Sequence, residues 1–375
     1  MKRVASIVMV LSGATLIGQA QADQTVKIGV AGPMTGALAV YGKDVANGAQ
    51  LAVNQLNASG VKIKGEKVHF ELLPEDDGAD PKTAVTVAQK MVDGGVVGVV
   101  GHVESGTSIP ASKVYRDAGI PQISPSATNP MLTRQGFPTA FRVIGDDAYV
   151  GKVIGQYLAT TAGYKNVAVV DDRTAYGQGL ADIVVEELKK SGVNVVDRQF
   201  VTPATVDFRG VLTSIKGKNA QAIFYGGVDS QAGPMRKQMT DLAMKIPLYG
   251  SSIESDNFVK LAGATAEGTV SAEAGQPLDS MEGGKKFAEQ YEKKYGPVVL
   301  YAPYAYDAVM ALAHAMELAN STSSKDFLPA LKKVNFEGVT GPIAFDDKGD
   351  LRSVTVTLYQ AKGGKFQPLQ TLRQK

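Results

Sequence analysis

The chain has 375 residues, 39 basic and 37 acidic, is 44% apolar and contains no cysteine or tryptophan. Without cysteine there are no disulfides or thiolate metal sites, and evenly mixed charge argues against a nucleic-acid surface. The length exceeds what one core usually holds, which predicts two domains.

Lys2 and Arg3 precede an apolar stretch over residues 4–17, and Ala20-Gln21-Ala22 places small residues before Asp23. This pattern predicts a cleaved secretory signal peptide over residues 1–22 and delivery to a periplasm. The apolar run is shorter than the roughly 20 residues a spanning helix needs. No later stretch is longer, so stable membrane insertion is not expected. Once Lys2 and Arg3 leave the 39 basic side chains, 37 face 37 acidic ones, and the mature chain is neutral.

Residues 26–31 read as a strand, 41–57 as a helix and 68–73 as a strand, the start of a βαβ rhythm. Asp80-Pro81 is an N-cap followed by proline in the first helical turn, with Ala84, Val85, Ala88, Met91 and Val92 at helical spacing behind it. Strand 96–100, helix 106–117 and strand 121–124 complete a first series. A second series runs through helix 147–162, strand 166–170, helix 177–190, strand 195–200, helix 208–216, strand 222–225, helix 231–242 and strand 247–249. Helices at 281–295 and 303–318 and strands at 354–360 and 366–369 end the chain. The predicted class is α/β, with two doubly wound parallel sheets. Such sheets take ligands beyond the carboxyl ends of their strands, so the cleft between the two is the expected site.

Two strand-end turns carry the relevant chemistry. Gly101-His102-Val103-Glu104-Ser105-Gly106-Thr107 puts a serine at a helix N-terminus, where free N–H groups and the dipole attract anions. Ser105 is there either a helix cap or a ligand contact. Ser124-Pro125-Ser126-Ala127-Thr128-Asn129-Pro130 is a hydroxyl-rich loop held by two prolines. Side by side, the two turns make a plausible carboxylate cradle from Ser105, Ser126, Ala127 and Thr128.

These segments, with Tyr176-Gly177-Gln178-Gly179, Phe224-Tyr225-Gly226-Gly227, Gly341-Pro342 and Lys348-Gly349-Asp350, occur in an order that resembles the leucine/isoleucine/valine-binding proteins. The resemblance runs from Val26 to the C-terminus. It implies a type I periplasmic binding fold, two lobes joined by a three-crossing hinge, that closes on a small carboxylate-bearing ligand, a branched-chain or other aliphatic amino acid. The lobe boundaries it implies are 23–143 with 276–350, and 144–275 with 351–375. It further implies a monomer with no cofactor that docks on an inner-membrane ABC permease. By position, Ser105 and Thr128 match the α-carboxylate ligands and Ser126 a residue that uses its backbone. Tyr41 and Tyr176 match aromatics of the side-chain pocket and the closing lobe.

Two departures bear on the ligand. Ser252 stands where the family has a glutamate for the α-ammonium, and Val228 where it has a tyrosine. A cysteine pair found in some members is Ala79 and Glu104 here. A buried ammonium without a counter-charge costs several kcal/mol. Hence Asp229, Glu254 or Asp172 substitutes, or the ligand is an aromatic or keto acid with no ammonium. A sensory role, presenting the closed clamp to a receptor, is a further alternative.

An enzyme is not expected. His69, His102 and His314 show no metal-ligand spacing, and Gly94, Gly95, Gly98 and Gly101 surround a strand instead of opening a helix as a dinucleotide loop does.

Overall fold

A computed structural model describes residues 24–374. The predicted signal peptide lies outside the described residues. No described helix is long and apolar enough to cross a membrane.

The first sheet contains β1 (Gln24–Gly32), β2 (Lys62–Ile63), β3 (Glu66–Asp76), β4 (Gly98–Val100), β5 (Gln122–Ser124) and β6 (Ala140–Arg142), in the order β2-β3-β1-β4-β5-β6. Every pairing is parallel except β2 with β3. The chain adds β3 on one side of β1 and then crosses to add β4 on the other, so strand order reverses there. A crevice opens beyond the carboxyl ends at that point.

The second sheet contains β7 (Asn166–Asp171), β8 (Asn194–Phe200), β9 (Ala222–Gly226), β10 (Leu248–Ser251) and β11 (Val270–Ala274). A hairpin of β12 (Asn335–Glu337) and β13 (Pro342–Ala344) intervenes before β14 (Val354–Lys362) and β15 (Lys365–Gln374). The sheet order is β15-β14-β11-β10-β9-β7-β8, parallel through β11 and antiparallel at the β14–β15 edge. All five residues of β9 are buried, as a strand covered by helices on both faces requires.

Sequence patterning missed β11. Its residues Val-Ser-Ala-Glu-Ala are all buried, but Ser271 and Glu273 break the apolar run by which a buried strand is recognised. Two short helices, Asp256–Ala262 and Ser324–Leu331, were likewise unread, and the segment expected as helix 281–295 is helical only over Gly284–Tyr295. The parallel expectation holds for the sheet interiors and gives way at the second sheet's edge, where a short hairpin turn makes β14 and β15 antiparallel.

Three chain segments pass between the sheets side by side. The backbone of Gly145 lies against the side chains of Ala274 and Val354, so an added Cβ there would meet each at 3.4 Å. Gly275, at φ 128°, adopts a conformation L side chains avoid, and a Cβ on it would stand 1.9 Å from the Tyr304 hydroxyl, which itself bonds the Ala274 carbonyl at 3.2 Å.

Candidate functional site

The loops after β4 and β5 face the loops after β7, β9 and β10 across the cleft. The cavity enclosed between them measures about 30 Å³. On the first sheet's side it is lined by Leu38, Tyr41, Val103, Glu104, Ser105, Ser126, Thr128 and Tyr301, and on the second's by Tyr176, Val228 and Ser252.

Ser105 opens the helix Ser105–Ala118, whose N-cap residue, Glu104, makes no side-chain capping bond. The Ser105 Oγ accepts the Asn129 N–H at 3.2 Å, which keeps its own hydrogen free. Thr128 is buried, and its Oγ1 has no hydrogen-bond partner among the described residues. Ser126 differs: its hydroxyl donates to the Val103 carbonyl at 2.8 Å. Two free hydroxyl donors at a helix N-terminus suit a carboxylate, which accepts hydrogen bonds and is drawn to the positive dipole end.

This loop is held from beneath by Arg142, whose side chain is fully buried. Its guanidinium donates to the carbonyls of Ala127 at 2.8 Å and Asn129 at 3.1 Å, to Thr133 Oγ1 at 2.8 Å, and to Asp350 Oδ1 at 2.6 Å. A planar fork with several fixed donors can tie separate backbone groups into one geometry.

Three tyrosines form the aromatic part of the lining. The Tyr41 and Tyr301 rings lie 5.8 Å apart. Tyr301 sits where the chain enters the helix Ala302–Ala319, and the buried Asp44 carboxylate receives the N–H groups of Val299, Leu300, Tyr301 and Ala302 and the Tyr291 hydroxyl. A carboxylate on the free amides of a helix start satisfies donors the helix cannot. Tyr176 lies in the first turn of the helix Ala175–Lys190, capped by Thr174, and its hydroxyl donates to the Ser251 carbonyl at 2.9 Å. The turn comes close to β9: a Cβ on Gly177 would lie 2.4 Å from the Gly226 carbonyl oxygen. Burial holds all three phenols above their ordinary proton affinity, so they are donors throughout the physiological range.

Among the described residues, two side-chain hydrogen bonds cross the cleft. Tyr41 Oη donates to Asp229 Oδ2 at 3.0 Å, and Asn129 Nδ2 to the Ala175 carbonyl at 2.5 Å.

Acidic groups surround the cavity. Glu104 is on its wall, and burial followed by the charges of Asp172, Asp77 and Asp229 pushes its carboxyl up to about 7. Asp147, buried beside Thr128 with neither oxygen partnered among the described residues, is pushed up to about 7 by burial, against the pull of Thr128 and Arg142. Glu254 and Glu273 lie together by the second sheet; burial raises both, and Ser271 donates to Glu254.

Six of the eight residues singled out from the sequence line the cavity: Ser105, Ser126, Thr128, Tyr176, Tyr41 and Ser252. Ala127 does not, because its side chain packs with Leu132 and Ala140 and its carbonyl serves Arg142. Asp229 stands behind Tyr41, its Oδ2 taken by Tyr41, Ser255 and Asn257. Asp172 Oδ1 braces Thr174, and Glu254 borders a separate cleft. None of the three acids proposed as ammonium partners therefore reaches the cavity wall, whereas Glu104 does. Tyr301 was missed because nothing local marks it, its position being set by Asp44 from the other end of the lobe. His102 is fixed within the core by Asp77 at 2.7 Å and Tyr115 at 3.0 Å. Among the described residues no cluster of three His, Asp or Glu could hold a metal ion.

A family model described as periplasmic binding protein matches residues 25–365. The Leu/Ile/Val-binding protein homolog 1 of Brucella melitensis is 36% identical over 349 residues, covering 92% of each chain. Among solved structures, a leucine-binding protein of Thermotoga maritima superposes with a TM-score of 0.85 at 26% identity, over 92% of this chain and 98% of its own. The branched-chain amino acid transporter substrate-binding protein of Streptococcus pneumoniae, in complex with isoleucine, gives a TM-score of 0.83 at 29% identity, over 94% and 100%.

Proposed function

The chain belongs to the periplasmic binding protein family, and from that premise we propose that it is the solute-binding component of an ABC importer. Its ligand is an α-amino acid held between two closing lobes. The lobes are residues 23–143 with 276–350, and 144–275 with 351–375; β14 and β15 joining the second sheet supports that division. The protein works as a monomer in the periplasm and delivers its ligand to an inner-membrane permease.

The observation that carries this reading is the pairing, on one cavity, of two unspent hydroxyls with an acidic surround. Ser105 and Thr128 donate to the α-carboxylate at the start of the helix Ser105–Ala118. Ser126 contributes backbone and shape, since its hydroxyl is engaged with Val103. The α-ammonium meets negative potential from Glu104 on the wall and from Asp147 behind Thr128, which offsets the loss of an acid at position 252. An organic acid without an ammonium would meet only repulsion from those groups, which disfavours the keto-acid and aromatic-acid readings. Tyr41, Tyr176 and Tyr301 close the apolar part.

A thermal-shift panel tests it: leucine, isoleucine, valine, alanine and phenylalanine against their keto acids and benzoate. A ligand of the folded state raises the melting point by mass action. The amino acids are expected to do so and the keto acids not; a keto acid matching its parent amino acid overturns the reading.

A further inference from the structure

Leu38, Glu104 and Val228 line both the small cavity and an adjoining outer chamber of about 570 Å³. Each is the N-cap residue of a helix, of Ala39–Ser59, Ser105–Ala118 and Asp229–Asp241 in turn, and none makes a side-chain capping bond. Helices nearby are capped by the side chains of Asp80, Thr174 and Ser255. Leucine and valine are poor N-caps, since neither accepts a hydrogen bond from the free N–H groups of the first turn. The fold thus forgoes two caps where its halves face each other, Leu38 on the first sheet's side and Val228 on the second's.

The outer chamber's polar side chains are largely occupied by the protein itself. Thr35 bonds Asp76, Asp172 bonds Thr174, Gln231 bonds Tyr225 and the Thr202 carbonyl, and the Arg173 guanidinium lies over the Phe200 ring at 3.7 Å. Ala37, Ala79, Pro81, Ala175 and Pro203 add small or apolar walls. The inner cavity, at about 30 Å³, has room for only about two waters. Leu38 leans on a buried apolar cluster, whereas Val228, half-buried, packs against none among the described residues.

We propose that Leu38 and Val228 form an apolar collar, one residue from each lobe, through which the side chain of a neutral α-amino acid passes into the outer chamber. This rests on the α-amino-acid reading above and sets its length limit: unbranched aliphatic side chains longer than leucine's are accepted. A methylene held between the two residues loses water on both faces, and the contact exists only when the lobes are together, so it favours closure. A polar cap at either position would serve its helix better and forfeit that grip.

Calorimetry with L-2-aminobutyrate, L-norvaline, L-norleucine and L-2-aminoheptanoate tests this by length alone. Affinity is expected to rise roughly fourfold per methylene through norleucine and not to fall at 2-aminoheptanoate. Val228→Ser is expected to weaken norleucine about 5- to 20-fold and aminobutyrate less than about twofold. The same variant should leave the urea midpoint of the unliganded protein unchanged or higher, because a serine there can cap its helix. A flat series, or a peak at norvaline with a loss of about tenfold at 2-aminoheptanoate, overturns the inference and leaves the α-amino-acid reading standing. Equal weakening of all four ligands by Val228→Ser also overturns it. Binding of none of the four, nor of any amino acid in the thermal panel, overturns both readings. The wild-type length series decides alone if the variant does not fold.

Discussion

Tyr41 and Asp229, 188 residues apart in the chain, are joined by a 3.0 Å hydrogen bond that spans the cleft from the first sheet's side to the second's. Both groups are buried, and Asp229 keeps Ser255 and Asn257 when Tyr41 is removed. The bond therefore reports on closure more than on the integrity of either lobe. Tyr41→Phe is expected to weaken ligand binding about 5- to 30-fold, the worth of ~1–2 kcal/mol, with an unchanged urea midpoint without ligand. Unaltered affinity by calorimetry would mean that this contact does not hold the lobes together.

Two hydroxyls of the cradle, those of Thr128 and Ser126, are expected to differ. Thr128→Val removes an unpartnered donor to a charged group, about 1.5–3 kcal/mol, or roughly 10- to 150-fold in Kd. Ser126→Ala removes a hydroxyl already spent on Val103, so its effect on Kd should stay under about fivefold and appear instead as a small loss of stability. The reverse ranking would place the carboxylate on Ser126.

Arg142→Met tests how the cradle is held. It leaves Asp350 without its cation and two loop carbonyls without their donor. Breaking a buried pair by removing one partner costs about 3–5 kcal/mol, read as a drop in unfolding free energy by urea titration. A loss below ~1 kcal/mol would show that the prolines flanking the loop hold it unaided.

Stability should depend on pH with a definite sign. Glu104 and Asp147 have carboxyls raised to about 7 in the folded chain, against about 4 in the unfolded one. The folded state therefore binds more protons across that interval, and stability present at low pH is lost as pH rises through 7. Urea unfolding between pH 5 and 8.5 is expected to show the unliganded protein weaker at the alkaline end, and Glu104→Gln to flatten the slope. A slope of the opposite sign would show that these carboxyls are not withdrawn from water.

The alternation of strand and helix was legible because each segment carries its own periodicity, and Ser105 and Thr128 because strand-end turns of parallel sheets are where anions bind. Tyr176 was legible only through the family resemblance; the capping threonine and the glycine that lets its helix approach β9 emerge with the fold. What escaped depends on pairs distant in sequence. Nothing around Asp44 announces that it receives four amides at residues 299–302. The strand that ends at Arg142 was not read from the sequence, and only the fold brings Asp350 beneath the same loop. Glu104 read simply as the absence of a cysteine; its isolation among acids emerges once residues 77, 172 and 229 converge on it.

The helix Ala302–Ala319 packs on the helix Ala39–Ser59, and β14 and β15 extend a sheet that begins at β7. The helix Ala39–Ser59 also packs on β1 and β3, but on the ribosome no length of nascent chain short of residue 319 can cover the part of its surface that meets the helix Ala302–Ala319. Nor can the second sheet acquire its edge until the final strand has emerged. Chains ending near residue 275 are expected to aggregate or be degraded, and a fragment supplied separately, spanning 276–374, to rescue them only if both pieces are present while folding. Vectorial synthesis thus postpones completion of both halves to the last moment, which favours a chain handed on unfolded over one that matures as it is made.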